Sequence, residues 1–136
     1  MADYTEKPQN WKDLPPEQLA AVMNRKSEGY LPALLGFTLT SVAKERVVAR
    51  MAVQKHHLAP NDYLHAASVV ALADTVCGFA TIVNLPEGSG GFTTIELKTN
   101  FLGTTRDGAI LCEGRPAHIG RRTMVWDARV WDEKTG

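Results

Sequence analysis

Cysteine is scarce in this chain, and the little that is present forms no recognisable site. The 136 residues include two cysteines, Cys77 in an apolar helix-like run and Cys112 in a strand-like run. Neither has a CxxC or Cys/His neighbour pattern, which argues against a zinc site, and we expect no metal. Both are predicted to be small buried hydrophobic residues in a reducing compartment, which favours a cytoplasmic protein.

Net charge is also missing. Lys and Arg together number 15, Asp and Glu together number 15, and the formal net charge is zero. This balance gives no electrostatic case for nucleic acid or an anionic membrane as the main partner. It also leaves little self-repulsion between copies, so self-association is easy. The length and the hydrophobic fraction of 44% are ordinary for one soluble globular domain.

The N-terminus has no apolar run after a basic patch, so we do not expect a secretory signal. One later stretch, Ala66 to Leu85, is about as long as a membrane span. It carries Asp74 at its centre and Asn84 near its end, and it lacks basic flanks. We therefore predict a buried helix of a soluble protein and no membrane partner.

The chain divides into a polar N-terminal arm, residues 1–14, and a single domain, residues 15–136. Two prolines, Pro15 and Pro16, open a helix that runs to about Arg25, and a turn or short helix follows between Gly29 and Gly36. Two strands come next, Phe37–Thr40 and Arg46–Val53, with a hairpin turn at Ala43–Glu45 between them. A loop with strong turn residues, Lys55–Tyr63, follows.

The second half begins with Leu64–Leu85, which is apolar on nearly every face and typical of a helix surrounded by protein. Three strand-like runs joined by turns follow: Phe92–Leu102, Ala109–His118 and Thr123–Asp132. The short turns predict antiparallel pairing. One buried helix beside an antiparallel sheet is an α+β architecture, and a sheet wrapped around the helix covers it economically.

Asp74 is the residue in this pattern that most needs an explanation. A charge inside an apolar helix is costly unless it is paired, and proteins tolerate that cost mainly where chemistry needs it. A structural carboxylate hydrogen-bonded to a loop is the alternative. The helix start near His65 offers free N–H groups and partial positive charge, which can hold a developing oxyanion.

Spacing makes dimerisation part of this hypothesis. Asp74 lies roughly 13 Å along the helix axis from His65, too far for both groups to reach one bond. Two antiparallel helices in a symmetric dimer bring the start of one helix to the carboxylate of the other. Each dimer then holds two equal sites.

Several segments of the chain resemble those of a known protein family. The segment His57–Thr75, HLAPNDYLHAASVVALADT, resembles the signature of PaaI-like hotdog acyl-CoA thioesterases, roughly H-x-N-P-x-G-x-x-H-G-G followed by a helix reading L-A-D. Thr93–Leu102 resembles the family's long central strand, and Gly120–Thr123 resembles a later turn. The resemblance covers about residues 36–135. It implies the hotdog fold, a homodimer or dimer of dimers, an acyl-CoA substrate and no cofactor.

The resemblance also implies roles for individual residues. Asp74 is the catalytic carboxylate, as general base toward water or as nucleophile on the thioester. The N–H of Ala66 polarises the thioester carbonyl, and Thr94 orients the water. His65 shapes the loop or contacts the thioester region. The substrate is further bound by residues of the loop, the helix start and the later turn: Asn61, Ala67, Arg121 and Arg122, the arginines near the CoA phosphates.

The sequence departs from the family signature at three places. The family's Asn falls at Ala59, and Asn61 is the nearest amide that substitutes for it. The loop glycine is Asp62, and the Gly-Gly pair is Ala66-Ala67. The sequence ends at Gly136, where the family usually continues into one more strand, so we expect a shortened chain or a sheet that is one strand smaller.

Three functions are consistent with these features. The first is hydrolysis of an aryl- or medium-chain acyl-CoA thioester, for which a carboxylate, a water and a helix dipole suffice. The second is a non-catalytic domain that binds acyl-CoA or a small acyl group, which the changes at Ala59 and Ala66-Ala67 favour. The third, a hotdog hydratase, needs a different loop pattern that is not found here. We predict the first.

Overall fold

A computed structural model of the protein describes residues 11–136. Three α-helices and four β-strands account for its regular structure, with short 3-10 turns at Trp11–Asp13 and Lys55–His57. The elements are α1 (Pro16–Lys26), α2 (Leu31–Leu34), β1 (Phe37–Ala43), β2 (Arg46–Ala52), α3 (Ala66–Asn84), β3 (Ala109–Ile119) and β4 (Met124–Asp132).

The four strands form one antiparallel sheet in the order β1-β2-β3-β4. The turn at Lys44–Glu45 joins β1 to β2 and sets their register, in which Val42 faces Val47. Both valines are fully buried, as expected of β-branched residues on the inner face of a sheet. The predicted hairpin and the two last predicted strands are thereby confirmed.

The long helix α3 packs across this sheet and forms the centre of the core. Its buried side chains recur at helical spacing on one face: Leu72, Val76, Ala80 and Val83. Close approach to β3 is possible because residue 114 is glycine, since a Cβ there would lie 2.9 Å from Cγ1 of Val76. By length and composition α3 alone among the described helices qualifies as a membrane span. Its packing on the sheet makes it the core helix of the fold.

Helix α1 covers the free edge of β1. The Asn24 side chain donates Nδ2–H to the carbonyl of Leu39 (2.9 Å) and accepts the Leu39 N–H at Oδ1 (2.8 Å). These two bonds satisfy the backbone N–H and carbonyl of Leu39 at a strand edge, where unpaired groups invite pairing with other chains. The buried side chains of α1 are Leu19, Ala20 and Met23.

Part of the predicted polar arm lies against the domain. Trp11 and Leu14 pack on the core cluster, and Lys12 Nζ donates a 2.8 Å hydrogen bond to the carbonyl of Leu85, just after α3. The rest of the arm, residues 1–10, lies outside the described residues.

One predicted strand is wrong for the single chain. Residues Phe92–Leu102 have no regular secondary structure and pair with no strand of the described sheet. Their apolar side chains are exposed, with Ile95 at 81% and Leu102 at 96%. A strand is stable only when a neighbour satisfies its backbone groups, and none does so here. The alternating pattern is present, but no described strand lies beside it to pair with.

The helix predicted to be surrounded by protein is likewise buried on one face only. Between residues 66 and 84 the buried positions are those that face the sheet, and most other side chains are half-exposed. A single chain therefore leaves an apolar side of α3 and an apolar unpaired segment, Phe92–Leu102, without a cover.

Candidate active site

The first part of the site is the start of α3, which His65 caps. Its backbone is extended (φ −68°, ψ 133°), and its ring Nδ1 accepts the N–H of Ala67 at 2.9 Å. The N–H of Ala66 has no acceptor among the described residues. The helix therefore presents one free donor at its positive end. Ala67 was predicted to bind substrate, but its N–H already donates to the His65 ring.

The loop before α3 is a tight turn closed by its own backbone. Ala59 N–H donates to the carbonyl of Tyr63 (2.8 Å), and Asp62 N–H donates to the carbonyl of Ala59 (2.9 Å). The side chain of Asn61 accepts the Tyr63 N–H at 3.2 Å. Its carbonyl oxygen thus serves the turn, and only its amide nitrogen remains to replace the missing family Asn.

Asp62 keeps the backbone shape of the glycine that it replaces. Its φ is +63°, the one left-handed value outside glycine in the described chain. Aspartate adopts this conformation more readily than most residues because its short polar side chain bonds locally. The change from glycine therefore preserves the loop.

Replacing Asp62 tests that interpretation. We expect Asp62→Val to destabilise the protein by about 1–2 kcal/mol, because a β-branched residue resists the left-handed region. The control, Asp62→Gly, should be neutral or stabilising. The free energy of unfolding from urea titration measures both. Equal stability of the two variants would show that the loop relaxes out of this conformation.

The second part of the site is the carboxylate of Asp74, in the middle of α3. Thr94 Oγ1 donates a 3.1 Å hydrogen bond to Asp74 Oδ1. Asp74 is half-buried, and its Oδ2 accepts no hydrogen bond within the described residues. One carboxylate oxygen is thus held by a hydroxyl while the other is open to a ligand or a water.

Asp74 and Thr94 face a cavity of about 850 Å³ between α3, residues 91–99 and the start of β4. Arg121 and Arg122 line the same cavity, and so do apolar groups from α3 and β4. Cation and carboxylate therefore share one concave surface with apolar walls. Such a combination is typical of a site for a ligand with both anionic and apolar parts.

The two cysteines are poor nucleophiles. Burial, reinforced by Asp74 and Asp127, raises the pKa of the Cys77 thiol to about 11, although Cys77 lines the cavity. Burial raises the pKa of Cys112 to about 12. Only the thiolate is nucleophilic, so neither side chain supplies an attacking sulfur at neutral pH.

The predicted site residues fall into two groups in one chain. Asp74, Thr94, Arg121 and Arg122 share the cavity. His65, Ala66, Ala67 and Asn61 lie at the start of α3 and in the loop before it, and none of them lines that cavity. The separation follows from the helix rise, which puts Asp74 roughly 12 Å from Ala66.

Sequence reasoning assigned no role to His57, which is 1% exposed. Its ring hydrogen-bonds to the N–H of Gln54 and to the carbonyl of Leu35, just after α2. Its backbone carbonyl accepts the hydroxyl of Ser68 in the first turn of α3. The first position of the quoted signature was the signal available for it. Only that spacing to Pro60 distinguishes it from the exposed neighbour His56.

Similarity to known proteins identifies the family of this chain. The family model of the thioesterase superfamily matches residues 61–136. The proofreading thioesterase EntH of Klebsiella pneumoniae is 31% identical over 118 residues, 87% of this chain and 85% of that protein. The 1,4-dihydroxy-2-naphthoyl-CoA hydrolase of Escherichia coli is 26% identical over 112 residues, 82% of each chain.

A solved structure agrees with these sequence matches. A thioesterase variant from Pseudomonas aeruginosa superposes with a TM-score of 0.81 at 26% identity, covering 86% of this chain and 84% of that one. The predicted α+β hotdog fold and the resemblance to hotdog thioesterases are confirmed. The chain belongs to the thioesterase superfamily, and it is a thioester hydrolase.

Proposed function

We propose that the protein hydrolyses acyl-CoA thioesters with Asp74 as its reacting carboxylate. One observation carries this proposal: Thr94 holds one oxygen of Asp74 at 3.1 Å, and the other oxygen is open at a cavity that also contains Arg121 and Arg122. A carboxylate held in this way has a fixed direction, which reaction at a thioester carbon requires.

The chemistry can begin in either of two ways at Asp74. As a general base, its free oxygen takes a proton from a water that Thr94 helps to orient, and the water oxygen bonds to the thioester carbon. As a nucleophile, the same oxygen bonds to that carbon directly, and water then cleaves the anhydride. In both cases the C–S bond breaks, CoA leaves as thiolate and takes up a proton, and a free acid remains.

The start of α3 supplies the electrophilic part of this scheme. The N–H of Ala66 has no acceptor within the described chain and lies at the positive end of a 19-residue helix. It can donate to the thioester oxygen as negative charge develops there. His65 supports it by capping the helix and by taking up the N–H of Ala67.

A second copy of the chain completes the site under this proposal. The donor at Ala66 and the carboxylate of Asp74 are too far apart in one chain. A twofold-related copy with its α3 antiparallel would bring Ala66 of one chain to Asp74 of the other. The same copy would cover the exposed apolar side of α3 and the segment Phe92–Leu102. We infer a homodimer or a dimer of dimers.

We propose an aryl- or medium-chain acyl-CoA as the substrate. The named activity of the Escherichia coli relative on a naphthoyl-CoA supports an aryl group. Arg121 and Arg122 provide positive charge for the CoA phosphates. The scheme requires no metal or organic cofactor, and two free thiols are consistent with a cytoplasmic location.

Release of free CoA from a panel of aryl and aliphatic acyl-CoAs tests the proposal. We expect turnover on at least one class, with the preferred class visible in kcat/KM. Binding of acyl-CoA without turnover on any panel member would instead favour the non-catalytic binding protein and point to the loss of the amide at Ala59 as its cause.

A further inference from the structure

His57 is the most connected buried polar side chain outside the reacting groups. It is 1% exposed, and both ring nitrogens have partners. Nδ1 accepts the N–H of Gln54 at 3.0 Å, and Nε2 lies 2.7 Å from the carbonyl oxygen of Leu35, to which it donates. This pattern requires the neutral ring with its proton on Nε2.

The backbone of the same residue supports the start of α3. The carbonyl of His57 accepts the N–H of His65 at 2.9 Å and the hydroxyl of Ser68 at 2.9 Å. These two donors stand on either side of Ala66, whose own N–H is free. The direction of that N–H therefore depends on where the His57 carbonyl is held.

We propose that His57 is a positioning residue, whose neutral ring anchors the turn Lys55–His57 to the end of α2 and thereby aims the N–H of Ala66 at the substrate. The inference rests on the proposed function, because it needs Ala66 to contact the thioester. His57 itself touches no reacting atom. It acts through its carbonyl on His65 and Ser68.

Protonation of the His57 ring should break its hydrogen bond to Gln54. A second ring proton on Nδ1 faces the N–H of Gln54, so donor would meet donor and the anchor would be lost. Burial lowers the pKa of His57 below its usual 6.5, partly opposed by the bond to Leu35, and His56 lowers it further. Lys55 lies in the same turn, His65 bonds to the His57 carbonyl through its N–H, and α2 contributes no charged side chain.

The stabilising contribution of the neutral His57 ring depends on pH. A lowered pKa means that the neutral ring favours the folded, aligned state, so the contribution is complete above pH 6.5. It is lost as the pH falls below that value toward the pKa of the folded protein. Because catalysis also needs the Asp74 carboxylate as an anion, loss of the neutral His57 ring should add to the acid-side decline of kcat while KM changes little.

Three variants of the full-length protein test the proposal through kcat, KM and their pH profiles, well below the melting temperature. In His57→Phe, which has neither donor nor acceptor, we expect kcat to fall about 10- to 100-fold with KM nearly unchanged. His57→Gln retains a neutral donor, so it should keep most activity at neutral pH and shift the acid limb of kcat to lower pH. The matched control, His56→Gln on the exposed neighbour, should leave kcat at neutral pH unchanged, and because His56 lowers the pKa of His57, any movement of the acid limb should be toward higher pH, opposite to that of His57→Gln.

Each result decides between a positioning and a merely structural role. A lower melting temperature in His57→Phe with wild-type kcat would overturn the inference. If His57→Phe does not fold, His57→Gln decides the question. An acid limb of kcat in His57→Gln that coincides with that of the wild type would overturn the inference. Absence of turnover by the wild-type protein on every acyl-CoA would overturn the proposed function, and this role with it.

Discussion

Asp74→Asn should reduce kcat by about 10²–10⁴-fold, the range that a general acid–base group contributes. The amide cannot take a proton from water or attack a thioester, although it still accepts the hydrogen bond from Thr94 at the same place. Folding should be unaffected, because the change removes a half-exposed charge and preserves the shape of the side chain. CoA release and thermal unfolding, measured on the same preparation, check both statements.

Asp127→Asn is the matched control for this variant. Asp127 lies on β4 at the same cavity, but it is exposed and has no part in the proposed chemistry. Its removal changes the charge of the cavity by the same amount as that of Asp74. A similar loss of activity in both variants would mean that cavity charge, and not the Asp74 carboxylate, governs turnover.

Ala66→Pro should lower kcat by about 10²–10³-fold, the cost of removing one oxyanion donor. Proline removes the N–H of residue 66 and little else. It suits the first position of a helix, and the preceding His65, at φ −68° and ψ 133°, is already in the region that a residue before proline adopts. No hydrogen bond is lost in the described chain, because that N–H has no acceptor.

Ala66→Gly is the control at the same position. It keeps the N–H and restores the residue of the family signature, so we expect activity equal to or above that of the wild type. Steady-state kinetics on the substrate found in the panel separates the two variants. Wild-type kcat in Ala66→Pro with unchanged folding would remove the helix start from the mechanism.

The sequence alone was informative where a local pattern determines the structure. Strand alternation and the turn at Lys44–Glu45 predicted the hairpin β1–β2, and one charge in a long apolar run identified Asp74. The helix rise alone predicted the separation of Asp74 from His65. Asp62 was recognised as a departure, and its left-handed backbone explains how the chain accommodates it.

Local pattern failed where a partner distant in sequence decides the outcome. Phe92–Leu102 alternates like a strand, but pairing requires a neighbour that the single chain does not place beside it. His57 and His56 are adjacent and identical in type, and only tertiary packing buries one and exposes the other. The closure of Asn61 onto Tyr63 similarly depends on the turn and not on residue type.

If each site combines Asp74 of one chain with Ala66 of another, two inactive variants should restore activity when they share a dimer. Asp74→Asn and Ala66→Pro are co-expressed in equal amounts, and CoA release is compared with that of each variant alone. Random pairing makes half of the dimers mixed, and each mixed dimer has one intact site of two, so about a quarter of wild-type activity should return. Activity that stays as low as in the separate variants would contradict a site shared between two chains.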